Sequence, residues 1–571
     1  MNRTTRRSFI IGTTCAGALA AMSVTHRVRA KSHDALIDAD GALRRSIDEE
    51  RRRIRAAMSK DGIPGAAICL IYDGKPAWIE GFGVIDEKSK LPIGLETIFS
   101  IQSTSKNITT TAIMLAVQRG LLDLDEPITK YVPDFTINSR FEANAQEKMT
   151  LRYLLAHRAG FTHEAPVGNN DDPSFPSFEA HVQSISDTWL RFPVGDRFRY
   201  SNLGFDLAGF ILQTVMRKPF SECLRTLLFD PLAMQDTTAD TDDYMQRADR
   251  AIGHLDGYEA VPRRLPFIPS GGVYASPRDL ATYLLFHLNK GKRGGRTFLS
   301  EALWDEMHSF PFSGAYSLGV AGWKLRFGDT DLWTLHHNGG GSGFGCVFRF
   351  YPEEKLGLGV LFNRGVGTAY GWGASLIDQI LARRHGPQQP RVRIENLPAV
   401  TLAPEALGKF VGNWIGGDSA TDFRVKEGSL IMRQGTADIP VRVISPLEIA
   451  LAGEGPNGNA LRMTYFASLN GSMAHMESAF SFGHLDYNDG PNDAPGPNKE
   501  EWDAYVGRYW IYFWRKRAHD VIIHRQNGYL YLNEIRLVDE HESGLFFTSD
   551  GEAVDFRSDP PTWKSLPLRR T

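Results

Sequence analysis

Cysteine is scarce in this chain, with four residues among 571. Cys15 lies in an N-terminal segment that reads as a removable leader, so Cys69, Cys223 and Cys346 remain as an odd, widely spaced set without a Cys-x-x-Cys pair. That spacing supports neither a disulfide framework nor a thiolate metal or redox site. Cys69 and Cys346 fall in apolar stretches that read as buried strands, where a thiol behaves as a small hydrophobe. A surplus of either charge is missing too. With 64 Lys and Arg against 67 Asp and Glu, the formal net charge is −3, which leaves no basic excess to neutralise phosphates and no polybasic membrane patch. Nucleic acid is therefore not an expected partner.

Long apolar runs are absent as well. The stretch from Ile10 to Val24 is weakly hydrophobic and shorter than the roughly 20 residues a helix needs to cross a bilayer. Its surroundings, Arg6-Arg7 with Phe9 before it and Val28-Arg29-Ala30 after it, resemble a twin-arginine export signal over residues 1–30, cleaved after Ala30. A periplasmic or secreted protein with no stable membrane anchor after signal removal is the expectation. The remaining composition, 42% hydrophobic and 23% charged, is that of an ordinary globular protein, and the length predicts roughly two to four domains.

The charged lead-in IDEERRRIRAAMSKDGIPG predicts a first helix. GAAICLIYDGKPAWIEGFGVID predicts two strands joined at Asp73-Gly74, a hairpin signal. From Ser103 the apolar residues recur at helical spacing up to Gly120, so the serine is expected to open a helix. TLRYLLAHRAGF predicts another helix, carrying His157 as a framework residue, and HEAPVGNNDDPSFPSF a loop long enough to be a lid. YSNLGFDLAGFILQTVM and SPRDLATYLLFHLNKG give further helices, and GCVFRFYP and LGLGVLFN further strands. Strands at both ends with helices between them imply an α/β sheet closed by pairing early strands with late ones.

Composition shifts in the Pro-, Gln- and Arg-rich linker 386–400, after a first domain over 31–385. Helical periodicity largely stops there. LGKFVGNW from Leu407 returns as WDAYVGRY from Trp502, and FRVKEGSLIM returns as VIIHRQNGYLYL. An offset of roughly 95–100 residues is long for a solenoid and reads as related β units. One or two small antiparallel barrels are expected, over 401–486 and 500–571, with a Gly- and Pro-rich connector over 487–499. The aromatics Trp502, Tyr505, Tyr509, Trp510, Tyr512, Phe513 and Trp514 are expected to fill barrel core rather than a ligand platform.

Ser103 and Lys106 stand three apart, a spacing that puts both side chains on one helix face about 5–6 Å apart at Cβ. A serine hydroxyl needs a neighbouring base to become a nucleophile. Lysine serves if burial lowers its proton affinity, or if it acts beside a tyrosine. Two later stretches supply partners: RYSNLGF with Tyr200 and Asn202, and HHNGGGSGF with His337 and Gly339. His336 and His337 are neighbours on a strand and point apart, and no third ligand at zinc-like spacing accompanies them, so no metal is expected.

These three elements, in this order, resemble the penicillin-recognising serine hydrolases, the superfamily of β-lactamases, penicillin-binding proteins, esterases and D-aminopeptidases. The resemblance runs from about Gly62 to about Asn363 and includes LRYLLAHRAGF, PSGGVYASPRDLATYL and YPEEKLGLGVLFN. It implies a β-lactamase-like α/β domain of antiparallel sheet flanked by helices, class C in type. It implies Ser103 as nucleophile, Lys106 and Tyr200 sharing general-base and general-acid work, and Asn202 orienting substrate and lysine. The backbone N–H groups of Ser103 and Gly340 would form the oxyanion hole. No cofactor is implied.

One departure matters. His337-Asn338-Gly339 stands where β-lactamases and most D,D-peptidases carry a lysine that meets the substrate carboxylate, and histidine is mostly neutral at pH 7. Histidine there resembles the esterase and D-aminopeptidase branches. The expected function is cleavage of an amide or ester in a small-molecule or peptide substrate through a Ser103 acyl-enzyme, most simply by a D-aminopeptidase-like peptidase. Alternatives are a carboxylesterase or weak β-lactamase of the same fold, or a non-catalytic binding protein on that scaffold. In D-aminopeptidases a loop of the C-terminal part reaches the active site; the sequence does not identify its counterpart.

Overall fold

The computed structural model describes residues 41–168, 176–255, 268–312, 316–389, 396–416, 419–434, 437–454, 460–467, 474–478, 485–488, 495–513 and 516–571. The Arg6-Arg7 leader and the middle of the expected lid lie outside them.

Helix α1 (Gly41–Asp61) buries Leu43, Ile47, Ile54 and Met58 at helical spacing. Strands β1 (Gly65–Tyr72) and β2 (Lys75–Gly83) form the expected hairpin. Its turn residues Asp73 and Gly74 have φ of 49° and 71°, the left-handed pair that a tight two-residue hairpin requires. Then come α2 (Ser105–Gln118), α3 (Leu151–Leu155), α4 (Phe178–Ser184), α5 (Asn202–Met216) and α6 (Pro277–Leu288). The chain returns through β3 (Ala321–Phe327), β4 (Thr330–His336), β5 (Gly339–Gly341), β6 (Phe344–Tyr351), β7 (Leu356–Phe362) and α7 (Ala374–His385).

The strands make one seven-stranded sheet in the order β2-β1-β7-β6-β4-β3, with β5 paired to β6. Early strand β1 pairs antiparallel with late strand β7, Ala66 opposite Phe362, so the sheet closes as the sequence implied. Side chains alternate across a strand. Ala67, Cys69 and Ile71 of β1 join a core with α2, α5 and α6, whereas Ala66, Ile68 and Leu70 join a second core with α1 and α7. A three-layer sandwich results.

Two separate nine-stranded antiparallel sheets follow. One runs from Gly412–Gly416 to Leu485–Asn488, the other from Gly507–Phe513 to Arg569–Arg570 and is a nearly closed barrel. Each is entered through a short 3-10 turn, Gly408–Phe410 and Glu500–Ala504. The echoed aromatics anchor both: Phe410 and Trp414 are buried in one core, Trp502 and Tyr509 in the other. The side chains of Tyr512, Phe513 and Trp514 lie outside the described residues. One boundary moves. Tyr487 and Asn488, read as connector, pair with Ile415 and Trp414, because the first sheet needs this last strand to cover the edge of its first.

Candidate active site

Ser103 does not open the α-helix itself. It occupies a 3-10 turn, Gln102–Thr104, and α2 begins two residues later. Gln102, just before it, has φ of 49°, a backbone conformation that costs on the order of 1–3 kcal/mol and gathers at functional sites. The bend leaves Ser103 half-buried while Lys106, in the first turn of α2, is fully buried.

Lys106 Nζ has three polar neighbours: Ser103 Oγ at 3.4 Å, Asn202 Oδ1 at 2.7 Å and the Ser270 carbonyl oxygen at 2.9 Å. The last two can only accept. A neutral amine has two N–H bonds and one lone pair. Both N–H groups are taken by Asn202 and Ser270, and the lone pair is left toward Ser103. Burial lowers the Lys106 pKa to about 7, although Asp206 and Glu164 pull the other way. The helix cap is Ser201, whose Oγ accepts from Leu203 N–H at 3.1 Å. Asn202 is thereby free of capping, and its Nδ2 donates to Glu164 Oε1 at 3.4 Å, which fixes the amide with its oxygen toward the lysine.

The Lys106 ammonium position lies 4.7 Å from the Tyr200 ring centre. Burial raises the Tyr200 pKa, a hydrogen bond with Ser103 lowers it in part, and Asp206 and Glu164 raise it further. The phenol therefore keeps its proton. His337 sits with its ring 6.4 Å from that of Tyr200. Its Nδ1–H donates to the Asn338 carbonyl at 2.9 Å, and its Nε2 accepts from Tyr316 O–H at 3.0 Å. Burial, then the nearby Lys106, push its pKa down to about 3. The ring is neutral and both nitrogens are occupied. His336 packs instead on Trp323, ring centres 4.3 Å apart, so the two histidines do part.

Strand β5 brings the glycine motif against the serine turn. A Cβ on Gly339 would stand 1.9 Å from the Ile101 carbonyl oxygen, so only glycine lets the two backbones approach this closely. Thr104 Oγ1 donates to the His337 carbonyl at 2.9 Å, and Tyr370 O–H to the Gly339 carbonyl at 3.0 Å. Gly340 is exposed on this edge.

The second β unit reaches the same region through the turn Thr548–Glu552, every non-glycine member of which is buried. Arg191 bonds Asp550 Oδ2 at 2.5 Å and Glu552 Oε1 at 3.0 Å. Thr162 Oγ1 donates to Glu552 Oε2 at 2.7 Å, and Ser201, between Tyr200 and Asn202, donates to the Thr162 carbonyl at 2.6 Å. One hydroxyl and one carbonyl thus separate the barrel from the Tyr200–Asn202 stretch.

Ser103, Lys106, Tyr200, Asn202, His337 and Gly339 converge, as their order in the sequence implied. The helix expected through His157 ends before it. The helix α3 stops at Leu155, and His157 follows it at φ of 57°. Its Nδ1 accepts from Ser201 N–H at 3.2 Å, its Nε2 has no hydrogen-bond partner among the described residues, and its ring lies 4.3 Å from that of Tyr200. It is a buried framework residue, as expected, and it also walls the site beside Tyr200. Sequence reasoning missed Glu164, Ser270, Tyr316 and the Thr548–Glu552 turn, none of which stands in a recurrent spacing.

A half-exposed serine on a buried lysine, with a phenol and an amide facing both, defines the penicillin-recognising serine hydrolase class. Residues 51–376 match the Beta-lactamase family, and the chain belongs to it. It is similar to Protein flp of Staphylococcus aureus strain MW2, 28% identical over 316 residues, which covers 54% of this chain and 61% of that protein. Beta-lactamase-like protein 4 of Dictyostelium discoideum is 24% identical over 342 residues, 56% of this chain and 60% of that protein. The chain thus spans about three fifths of these relatives' length. In fold it is similar to the octameric penicillin-binding protein homologue from Pyrococcus abyssi, TM-score 0.51 at 23% identity, covering 77% of this chain and 99% of that one. SurE gives TM-score 0.56 at 19% identity over 78% of this chain and all of the other; solved with D-Leu it gives 0.54 over 78% and 99%.

Proposed function

We propose that this chain cleaves an amide or ester through an acyl-enzyme on Ser103, as a peptidase of D-aminopeptidase type. The observation that carries the reading is the lysine whose two N–H groups are held by Asn202 and Ser270, leaving its lone pair toward the serine. Lys106 takes the Ser103 proton as Oγ attacks the carbonyl. Tyr200, whose phenol keeps its proton, passes one to the leaving amine or alkoxide and is restored from Lys106. Such transfer contributes roughly 10²–10⁴-fold. The N–H groups of Ser103 and Gly340 receive the oxyanion, each worth about 3 kcal/mol.

Two observations favour small amine-bearing substrates over β-lactams. No permanent cation stands at the third motif, since His337 is neutral and doubly engaged. The buried Thr548–Glu552 turn lies beside the site, as a C-terminal loop does in D-aminopeptidases, and one neighbour in fold was solved with D-Leu. The Arg6-Arg7 leader fits an enzyme exported to the periplasm. A fluorescent fluorophosphonate should label the wild type and not Ser103→Ala. In a panel of D-amino acid amides, p-nitrophenyl esters and nitrocefin, the amides should turn over fastest; the absence of any adduct on Ser103 would favour a binding protein instead, and ester preference a carboxylesterase.

A further inference from the structure

Behind the lysine lies a second buried layer that the catalytic reading does not use. Asp206 on α5 is fully buried, and His181 on α4 is 1% exposed. Asp206 Oδ1 accepts from Ser270 N–H at 3.0 Å and Oδ2 from Ser270 Oγ at 3.1 Å. Those two bonds hold the residue whose carbonyl receives Lys106 Nζ. On its far side Asp206 Oδ2 lies 3.1 Å from His181 Nε2, and His181 Nδ1 lies 2.8 Å from the Val167 carbonyl oxygen.

The partners of the imidazole fix its proton count. Val167 offers a carbonyl, so Nδ1 must carry a hydrogen. Asp206 offers a carboxylate oxygen, so a hydrogen must also lie between Nε2 and Oδ2. Whichever atom holds that second proton, the pair carries no net charge. Without it a bare carboxylate would face the lysine through Ser270 and strengthen Lys106's hold on its proton.

We propose that His181 and Asp206 are a positioning pair for Lys106: Asp206 aims the Ser270 carbonyl at the lysine, and the proton shared with His181 offsets most of the carboxylate's pull, keeping Lys106 available as a base near neutral pH. This rests on Lys106 being the base for Ser103. Other groups also face the lysine: Glu164 from the first residues of the loop read as a lid, Tyr200 ahead of α5, His157 after α3 and His337 after β4. Glu164 faces His181 as well. Like Asp206, Glu164 acts on the lysine's charge and anchors an acceptor, Asn202. Asp206 differs in that its carboxylate meets a buried histidine, whereas the histidine beside Glu164, His163, is 44% exposed.

The test uses the full chain with His181→Gln, which keeps a donor toward Asp206 but cannot carry charge, and Asp206→Asn, which keeps the shape but removes the charge. The acid limb of the fluorophosphonate labelling rate should move up by roughly one pH unit in His181→Gln, which bares the carboxylate, and down by a smaller amount in Asp206→Asn, which removes only the pull of the nearer carboxylate that the more distant His181 proton leaves. Rates above the limb should stay close to wild type. Titration of 13Cε-labelled lysine, with Lys106 assigned by its loss in Lys106→Met, should give the same opposite shifts without any turnover. Limbs that stay fixed, or that move together, overturn the pair's role. If the wild type is not labelled at all, the hydrolase reading fails, and the lysine titration still decides the coupling. If Asp206→Asn does not fold, the upward shift in His181→Gln is the deciding result, and its absence overturns the proposal.

Discussion

Asp550 of the second β unit meets Arg191 of the N-terminal domain at 2.5 Å, and both side chains are 2% exposed. Glu552 shares the same guanidinium at 3.0 Å. Arg191→Ala leaves two buried carboxylates without this countercharge, a change that costs about 3–5 kcal/mol. A turn seated by these bonds should then leave its place beside Thr162 and Ser201. Limited proteolysis between the two β units should become faster, and fluorophosphonate labelling of Ser103 slower. Unchanged labelling would mean that the barrel does not support the site.

The same contact gives an acid dependence. Burial would raise the Asp550 pKa, but Arg191, Arg199, Lys564 and the Thr548 hydroxyl together hold it below its ordinary value. A depressed carboxylate contributes stability that is whole above its unfolded pKa of about 4 and is lost as pH falls through the lower folded value. Docking should therefore persist at pH 5 and fail only in stronger acid. Trp189, whose ring lies 5.5 Å from that of Phe547 across this boundary, should report it by a fluorescence change that is absent in Trp189→Phe.

Turnover of nitrocefin should be the slowest in a panel with D-amino acid amides and p-nitrophenyl esters. The argument rests on His337, whose two ring nitrogens already serve Asn338 and Tyr316. A neutral, saturated imidazole offers a β-lactam carboxylate neither charge nor a spare donor. Steady-state rates at equal substrate concentration decide it, and nitrocefin as best substrate would contradict the assignment.

What was readable in advance follows from range. The hairpin at Asp73-Gly74 and the helices α2, α5 and α6 depend on local turn chemistry and on period-3.6 burial, both written along the chain. That early strands pair with late ones followed from the order of elements, but the register of Ala66 with Phe362 did not. Ser103, Lys106, Tyr200 and Asn202 stood out because the resemblance to the penicillin-recognising serine hydrolases attaches to their residue types and spacing. The 3-10 turn at Ser103 was hidden, because Gln102 takes a left-handed backbone under tertiary contact and not from its own preference. Glu164, Ser270 and the Asp550 turn were hidden for a related reason. Each acts across a large sequence separation, through one hydrogen bond or ion pair, and a single polar residue in a loop carries no period.

Lys106 lets stability and function be set against each other. Its pKa falls from an ordinary 10.5 to about 7 on burial, so folding disfavours its charged form. Between those two values the unfolded chain binds the extra proton and the folded one does not, so stability grows as pH rises from about 7 toward 10.5 and is lowest below 7. The penalty at pH 7 is on the order of 4 kcal/mol. Lys106→Met removes the titration along with the base, at the expense of hydrogen bonds to Asn202 and Ser270 worth about 1 kcal/mol each. The variant should therefore be inactive yet melt several degrees higher at pH 7, and its advantage should shrink as pH approaches 10. Calorimetry of wild type and variant across that range checks the sign: an advantage that is flat with pH, or a variant that melts lower throughout, would mean that the folded protein binds Lys106's proton as tightly as water does.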